Sequence, residues 1–178
     1  MRSLKQKQQR PNPRQRPQRH AAEPPKAEQA KAVHAAQAHQ ADAAKKNFET
    51  VIASTDDSPQ AERQKSIANI GLALCLVADK KYDEAIKSLE RIAREAGSED
   101  SSFQALVYNS LGSAYNQADK PRDAVLAYMH TDILFSAARS EHIKALTELS
   151  KLWAKIQRSD RAEDVAKRLK DQYNIAVK

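Results

Sequence analysis

The residues able to do chemistry are few, and their spacing does not suit it. His34 and His39 stand five apart, a poor spacing for one helical face, so no metal is expected between them. Neither His-Glu-x-x-His nor Cys-x-x-Cys occurs, so there is no zinc motif. Glycine is present only at 71, 97 and 112, which rules out a Gly-rich phosphate loop. His130 and Asp132 are two apart on a helix and cannot face each other, so His130 should pack between helices or pair to backbone. Asp56-Asp57 falls in a turn, where a capping role is sufficient. Cys75, the single cysteine, lies in "GLALCLVAD" and reads as a small buried hydrophobe that allows no internal disulfide. Nothing pairs a nucleophile with an orienting base. The expectation is a protein with no enzymatic activity, no cofactor and no metal.

With so little chemistry to position, the elements themselves become informative. Three glycines among many Ala, Leu, Lys, Glu and Gln make a helix-forming composition. β-branched residues never alternate over a strand length, so the fold class is all-α. Helix starts and stops can be placed. Ser58-Pro59 reads as an N-cap and first helical residue. "QAERQKSIANIGLALCLVAD" is apolar around most of its circumference, the mark of a helix packed on more than one side. "YDEAIKSLERIARE" follows and should stop at Gly97. Ser101 or Ser102 is expected to cap a helix to about Ala118, and Pro121 to begin another to about Arg139. Ser140 or Glu141 should begin one through Gln157, and Asp160 with Glu163 resembles a capping box for the last.

The formal charge of +7 is uneven. Residues 1–20 carry Arg2, Lys5, Lys7, Arg10, Arg14, Arg16 and Arg19 with no acid, so residues 21–178 are neutral overall. Residues 1–25, rich in Pro, Gln and Arg, have almost nothing apolar to bury and should be a disordered tail. Such a tail could lie along nucleic acid or another anionic surface, and an RNA- or ribosome-associated protein is the alternative reading of function. It has no aromatic residue for base stacking, and a merely solubilising role explains it as well. Residues 26–57 read as an Ala-rich N-terminal helix whose apolar spacing strengthens from Ala44 through Phe48, and residues 58–178 as the main helical domain. No run of eighteen apolar residues occurs and no apolar core follows the N-terminal charges, so a cytoplasmic protein is expected.

The chain also repeats itself. Tyr108-x2-Leu111-Gly112-x2-Tyr115, then Ala124-x3-Tyr128, can be laid over Asn69-x2-Leu72-Ala73-x2-Leu76, then Ala85-x3-Leu89. It also overlays Leu146-x2-Leu149-Ser150-x2-Trp153, then Ala162-x3-Ala166. Nine residues separate Leu76 from Ala85, Tyr115 from Ala124, and Trp153 from Ala162, and the units step by 39 and then 38. Small residues at Ala73, Gly112 and Ser150 would let paired helices approach, and the large ones would fill the gaps between pairs.

These residues resemble the tetratricopeptide repeat family, whose pattern is aromatic-x2-Leu-Gly-x2-Tyr followed by Ala-x3-aromatic. The unit 105–138 carries every such position, the unit 66–99 substitutes Ala73 for the glycine, and the unit 143–176 is degenerate at Ser150 and Ala166. The later part of the chain looks particularly like bacterial members of no defined activity. The resemblance implies about three tandem antiparallel hairpins plus an N-terminal helix in a right-handed superhelix. It implies a scaffold that binds a peptide or partner protein in a concave groove lined by the first helix of each unit. The groove positions would be Ile70, Leu74 and Val77, then Asn109, Ser113 and Asn116, then Lys144 and Lys151. That order runs from apolar through amide and hydroxyl to basic, and suits a ligand with apolar residues at one end and a carboxylate at the other. Glu148 between the lysines could equally make this a solvated face. The lysine-and-asparagine clamp known in some members is not reproduced. The apolar first section could be covered by the 44–54 helix or by a second copy, which leaves a homo-oligomer open.

Overall fold

The computed structural model describes residues 41–96 and 100–176, and residues 39–178 form one compact unit. The readings made for residues 1–40, the basic tail and His34 and His39 among them, lie outside the described residues, as does Gly97. Among the described residues the chain is built of helices without strands. Helix α1 is described over residues 41–52, followed by α2 (Pro59–Ala78), α3 (Tyr82–Glu95), α4 (Ser101–Gln117), α5 (Pro121–Leu134), α6 (Arg139–Lys155) and α7 (Ser159–Tyr173). This is the all-α hairpin array that the repeat pattern predicts, with α2–α3, α4–α5 and α6–α7 as its hairpins.

One turn is used three times. Lys80, Asp119 and Gln157 stand at equivalent positions and all adopt left-handed backbone, with φ of 62°, 56° and 62°. The next residue closes each turn: Lys81 N donates to Leu76 O at 2.8 Å, Lys120 N to Tyr115 O at 2.9 Å and Arg158 N to Trp153 O at 2.8 Å. This six-to-one bond satisfies a carbonyl that the helix end would leave orphaned, and the reversed chain starts again at once. It also fixes where the second helix begins. Helix α7 therefore opens at Ser159 without a side-chain cap, and the carboxylate of Asp160 accepts two bonds from Arg158, so the expected capping box is not made.

Three other boundaries differ. Helix α4 is capped by Asp100, whose Oδ1 accepts from Phe103 N at 2.9 Å, which leaves Ser101 as its first helical residue. Helix α5 ends at Leu134, ahead of the expected Arg139, and the Phe135 ring then stacks at 5.9 Å on Tyr108. Helix α6 starts at Arg139 and ends at Lys155, because Gln157 is taken by the turn. Ser58 caps α2 through Ala61 N, as its sequence suggests.

The core lies between hairpins. One buried cluster joins α2, α3 and α4 through Ile70, Val77, Ile86, Leu89, Ile92 and Val107. A second joins α5, α6 and α7 through Val125, Tyr128, Leu146, Leu149, Leu152 and Leu169. Tyr115 packs against both, and its hydroxyl donates to Glu90 Oε1 at 2.7 Å. Each buried leucine contributes about 2 kcal/mol of apolar burial, so no hairpin could hold its shape alone. Close approach needs the two helical glycines described. A Cβ on Gly112 would come within 2.7 Å of the Tyr128 ring, and one on Gly71 within 2.4 Å of the Phe48 ring from α1.

Candidate functional site

The way the helices stack decides which side chains remain available. The backbone of α4 runs alongside α2 and α6, whereas among the described residues α3, α5 and α7 do not run alongside one another. The first helices therefore form an inner layer, and the second helices spread apart on the outside.

The repeat steps sort the inner layer into rows. Ile67, Leu106 and Lys144 are equivalent, and so are Leu74, Ser113 and Lys151. In both rows the first and last members are exposed and the middle one is half-buried. Each row passes from an aliphatic side chain to a lysine. The lysines are paired on their own helix: Lys151 Nζ lies 2.7 Å from Glu148 and Lys144 Nζ 3.9 Å from Glu141. The Ser113 hydroxyl accepts a bond of 3.3 Å from Gln117. Asn116 is half-buried.

Three predicted groove residues belong elsewhere. Ile70 and Val77 are 2% and 3% exposed within the first core cluster, and Asn109 is 0% exposed. The Asn109 amide donates to the carbonyl of Glu141 at 2.9 Å and to its carboxylate at 2.7 Å. It bolts the second hairpin to the start of the third and offers no surface to a partner. Of the expected strip, Leu74, Ser113, Asn116, Lys144 and Lys151 remain accessible, with Ile67 beside them.

Two features were missed in the sequence. The first is a buried polar cluster at His142, which is 3% exposed. Its Nε2 donates to Asp132 at 2.8 Å, and its Nδ1 accepts from the Tyr173 hydroxyl at 2.6 Å. Arg168 makes two bonds to Asp132, one of 2.9 Å, and Arg139 lies over the Tyr173 ring at 4.8 Å. Burial alone would push the Asp132 carboxyl up. The Arg168 and His142 bonds outweigh it and hold the carboxyl below the usual carboxylate range. Asp, His and Tyr stand in line here, but His142 is sealed from solvent and holds α5, α6 and α7 together. The second feature is the outer face of α5, where Leu126, Ile133 and Leu134 are 59%, 65% and 61% exposed. The signal was present: "DAVLAYMHTDIL" is apolar on more than one side, as α2 is.

The remaining candidates are explained locally. His130 Nδ1 donates to Leu126 O at 2.9 Å and its ring stacks on Tyr108 of α4 at 4.6 Å, so it pairs to backbone and also packs against the neighbouring helix. Cys75 is half-buried, and desolvation pushes its thiol up, away from a reactive thiolate. Asp56 Oδ1 accepts from Ser58 N at 2.8 Å, which closes the turn ahead of α2, while the capping itself falls to Ser58. Among the described residues no three His, Cys, Asp or Glu side chains gather to hold a metal ion, and no helix is long and apolar enough to cross a membrane.

A family description, the tetratricopeptide repeat-like domain, matches residues 18–138, well over half of the chain. The chain belongs to this family. The match stops ahead of α6, so the third hairpin of this tetratricopeptide repeat-like protein is assigned by its own repeat spacing and its turn. No curated protein and no solved structure matches the chain. A domain of this kind is in general a protein-interaction scaffold and typically not catalytic.

Proposed function

We propose that this tetratricopeptide repeat-like protein is a non-enzymatic adaptor that holds a segment of a partner protein along its inner strip. The observation that carries the reading is the pair of equivalent rows left accessible on the first helices. Ile67 and Leu74 give an aliphatic end, Ser113 and Asn116 a polar middle, and Lys144 and Lys151 a basic end. A peptide with apolar residues toward α2 and a carboxylate toward α6 complements that order. The lysines can turn to it because they are themselves exposed, and such i,i+3 pairs are worth about 0.3–0.5 kcal/mol each.

The test is partner capture with the tagged full chain, identified by mass spectrometry, beside a Leu74→Glu, Lys144→Glu, Lys151→Glu variant. All three side chains are exposed, so the variant should keep the helical signal and melting behaviour of the parent. Specific partners should be lost from the triple variant. Retention of every partner would rule out the inner strip as the contact surface.

A further inference from the structure

We infer that the outer face of α5 is a second docking surface, built for an amphipathic partner helix that carries a carboxylate at one end. Three open depressions lie there. The first, of about 480 Å³, lies between the starts of α5 and the end of α6 and is lined by Lys120, Arg122, Asp123 and Lys155. The second, of about 380 Å³, is lined by Arg122, Val125, Leu126, Trp153 and Arg158. The third, of about 280 Å³, is lined by Leu126, Met129, His130, Ile133 and Leu134. Arg122 lines the first two and Leu126 the last two, so the depressions adjoin along α5, with charged, mostly basic side chains at one end and apolar ones at the other.

The occupant follows from charge and from backbone. Lys120 pairs with Asp83 at 3.3 Å, Lys155 with Asp119 at 3.0 Å, and Arg158 with Asp160 at 2.8 Å. Arg122, where the basic and apolar parts meet, has no ion pair or hydrogen bond among the described residues, and the adjacent Asp123 does not take it. A guanidinium beside Leu126 and Trp153 is a place where a carboxylate can be held in two bonds. The walls are helical and side-chain-lined, so they offer no row of free N–H and C=O groups to an extended strand. A helix satisfies its own backbone and needs only side-chain contacts. The groove from Arg122 to Leu134 runs about 18 Å, or roughly three helical turns. Leu126, Ile133 and Leu134 stay 59%, 65% and 61% exposed on α5, so a helix laid along that stripe would cover apolar surface the array leaves to solvent. A second copy of the chain complements this less well, since antiparallel pairing of two α5 helices would bring no unpaired acid to Arg122.

The surface shares no residue with the inner strip and can be tested separately. A display library of random 16-residue peptides is panned against the full chain, and selected peptides are measured by fluorescence anisotropy. They should share apolar residues at helical spacing with Asp or Glu toward one end. Binding should vanish with Leu126→Glu or Ile133→Glu and weaken about tenfold with Arg122→Ala. Panning against Arg122→Glu should select Lys or Arg at that same end. These side chains are exposed, and circular dichroism and thermal melting should show each variant folded as the parent. The inference is overturned by an absence of enrichment, by a consensus without helical spacing or acid, or by binding lost with Leu74→Glu and kept with Leu126→Glu. It is equally overturned by a dimer in sedimentation equilibrium that Leu126→Glu dissolves, which gives the face to a second copy. Co-pelleting with anionic vesicles that Leu126→Glu abolishes would give it to a lipid surface and overturn it too.

Discussion

Putting glycine at the left-handed turn positions should stabilise the array, and by unequal amounts. Lys80, Asp119 and Gln157 all sit near φ of +60°, and all three are exposed. Holding a side-chain-bearing L-residue in that region costs about 1–2 kcal/mol. Glycine removes the cost but brings extra freedom to the unfolded chain, worth about 0.5–1 kcal/mol. Lys80→Gly and Gln157→Gly should therefore each gain about 0.5–1 kcal/mol. Asp119 should gain little, since Asp tolerates this backbone better and its carboxylate takes Lys155 at 3.0 Å. The Lys80→Gly, Gln157→Gly double variant should be about 1–2 kcal/mol more stable, a rise in melting temperature of about 3–6 °C. Urea unfolding followed by circular dichroism measures it, with the midpoint moving and the slope unchanged. Lys80→Ala is the control, because alanine keeps the strain and should give no gain. An unchanged or lower midpoint in the double variant, or an equal gain from Lys80→Ala, would refute the reasoning.

Gly112→Ala should lose about 1–2 kcal/mol in the same assay, since overpacking against the buried Tyr128 ring outweighs alanine's helix preference. Gly71→Ala meets Phe48, which is half-buried on α1, so amide exchange should speed up over residues 41–52 with little change in the main transition. Asp132 has a depressed carboxyl in the folded state, so its contribution is intact above the ordinary carboxylate pKa of about 4 and is lost as pH falls through its folded value. Asp132→Asn should be less stable at pH 7, and its urea midpoint should converge on the parent's as acid is added; a constant difference would remove Asp132 from the acid response. Tyr115 is pushed up to about 12 by burial and by its bond to Glu90, and burial pushes Tyr128 higher still, so in an alkaline absorbance titration both should ionise late. Tyr115→Phe should remove a late-titrating component, and removal of an early one would contradict the assignment.

The hairpin geometry was legible because packing writes itself into spacing. Gly112 and Tyr128, sixteen residues apart, touch because a small residue must lie under the ring, and small residues recur at the equivalent Ala73 and Ser150. The turns were legible only in part. Pro121 announces one of them, while Lys80 and Gln157 hold the same left-handed backbone with no glycine to mark it. Polarity misled at Asn109. An amide on a first helix reads as surface, and its partner, Glu141, is 32 residues away on another hairpin. His142 was silent for the same reason, since its partners Asp132 and Tyr173 come from α5 and the end of α7. Long-range pairing of polar groups leaves no period in the sequence, and apolar packing does.

That difference bears on where binding can reside. A position fixed by the repeat is fixed by its neighbours, so it has no freedom to answer to a partner. Ala124 and Tyr128 turn α5 inward and are spent on packing, and Asp132 is spent on tying α5 to α6 and α7. Arg122, Leu126 and Ile133 lie on the same helix and serve none of these needs. Yet aliphatic side chains this exposed lose solvation free energy, and packing within the array does nothing to recover it. On the inner layer Ile67 and Leu74 have the same standing. The two sets lie on different helices, α2 and α5, and share no residue, so substitutions in one should leave binding at the other intact. A single partner helix that lost affinity on substitution of either set would refute that independence.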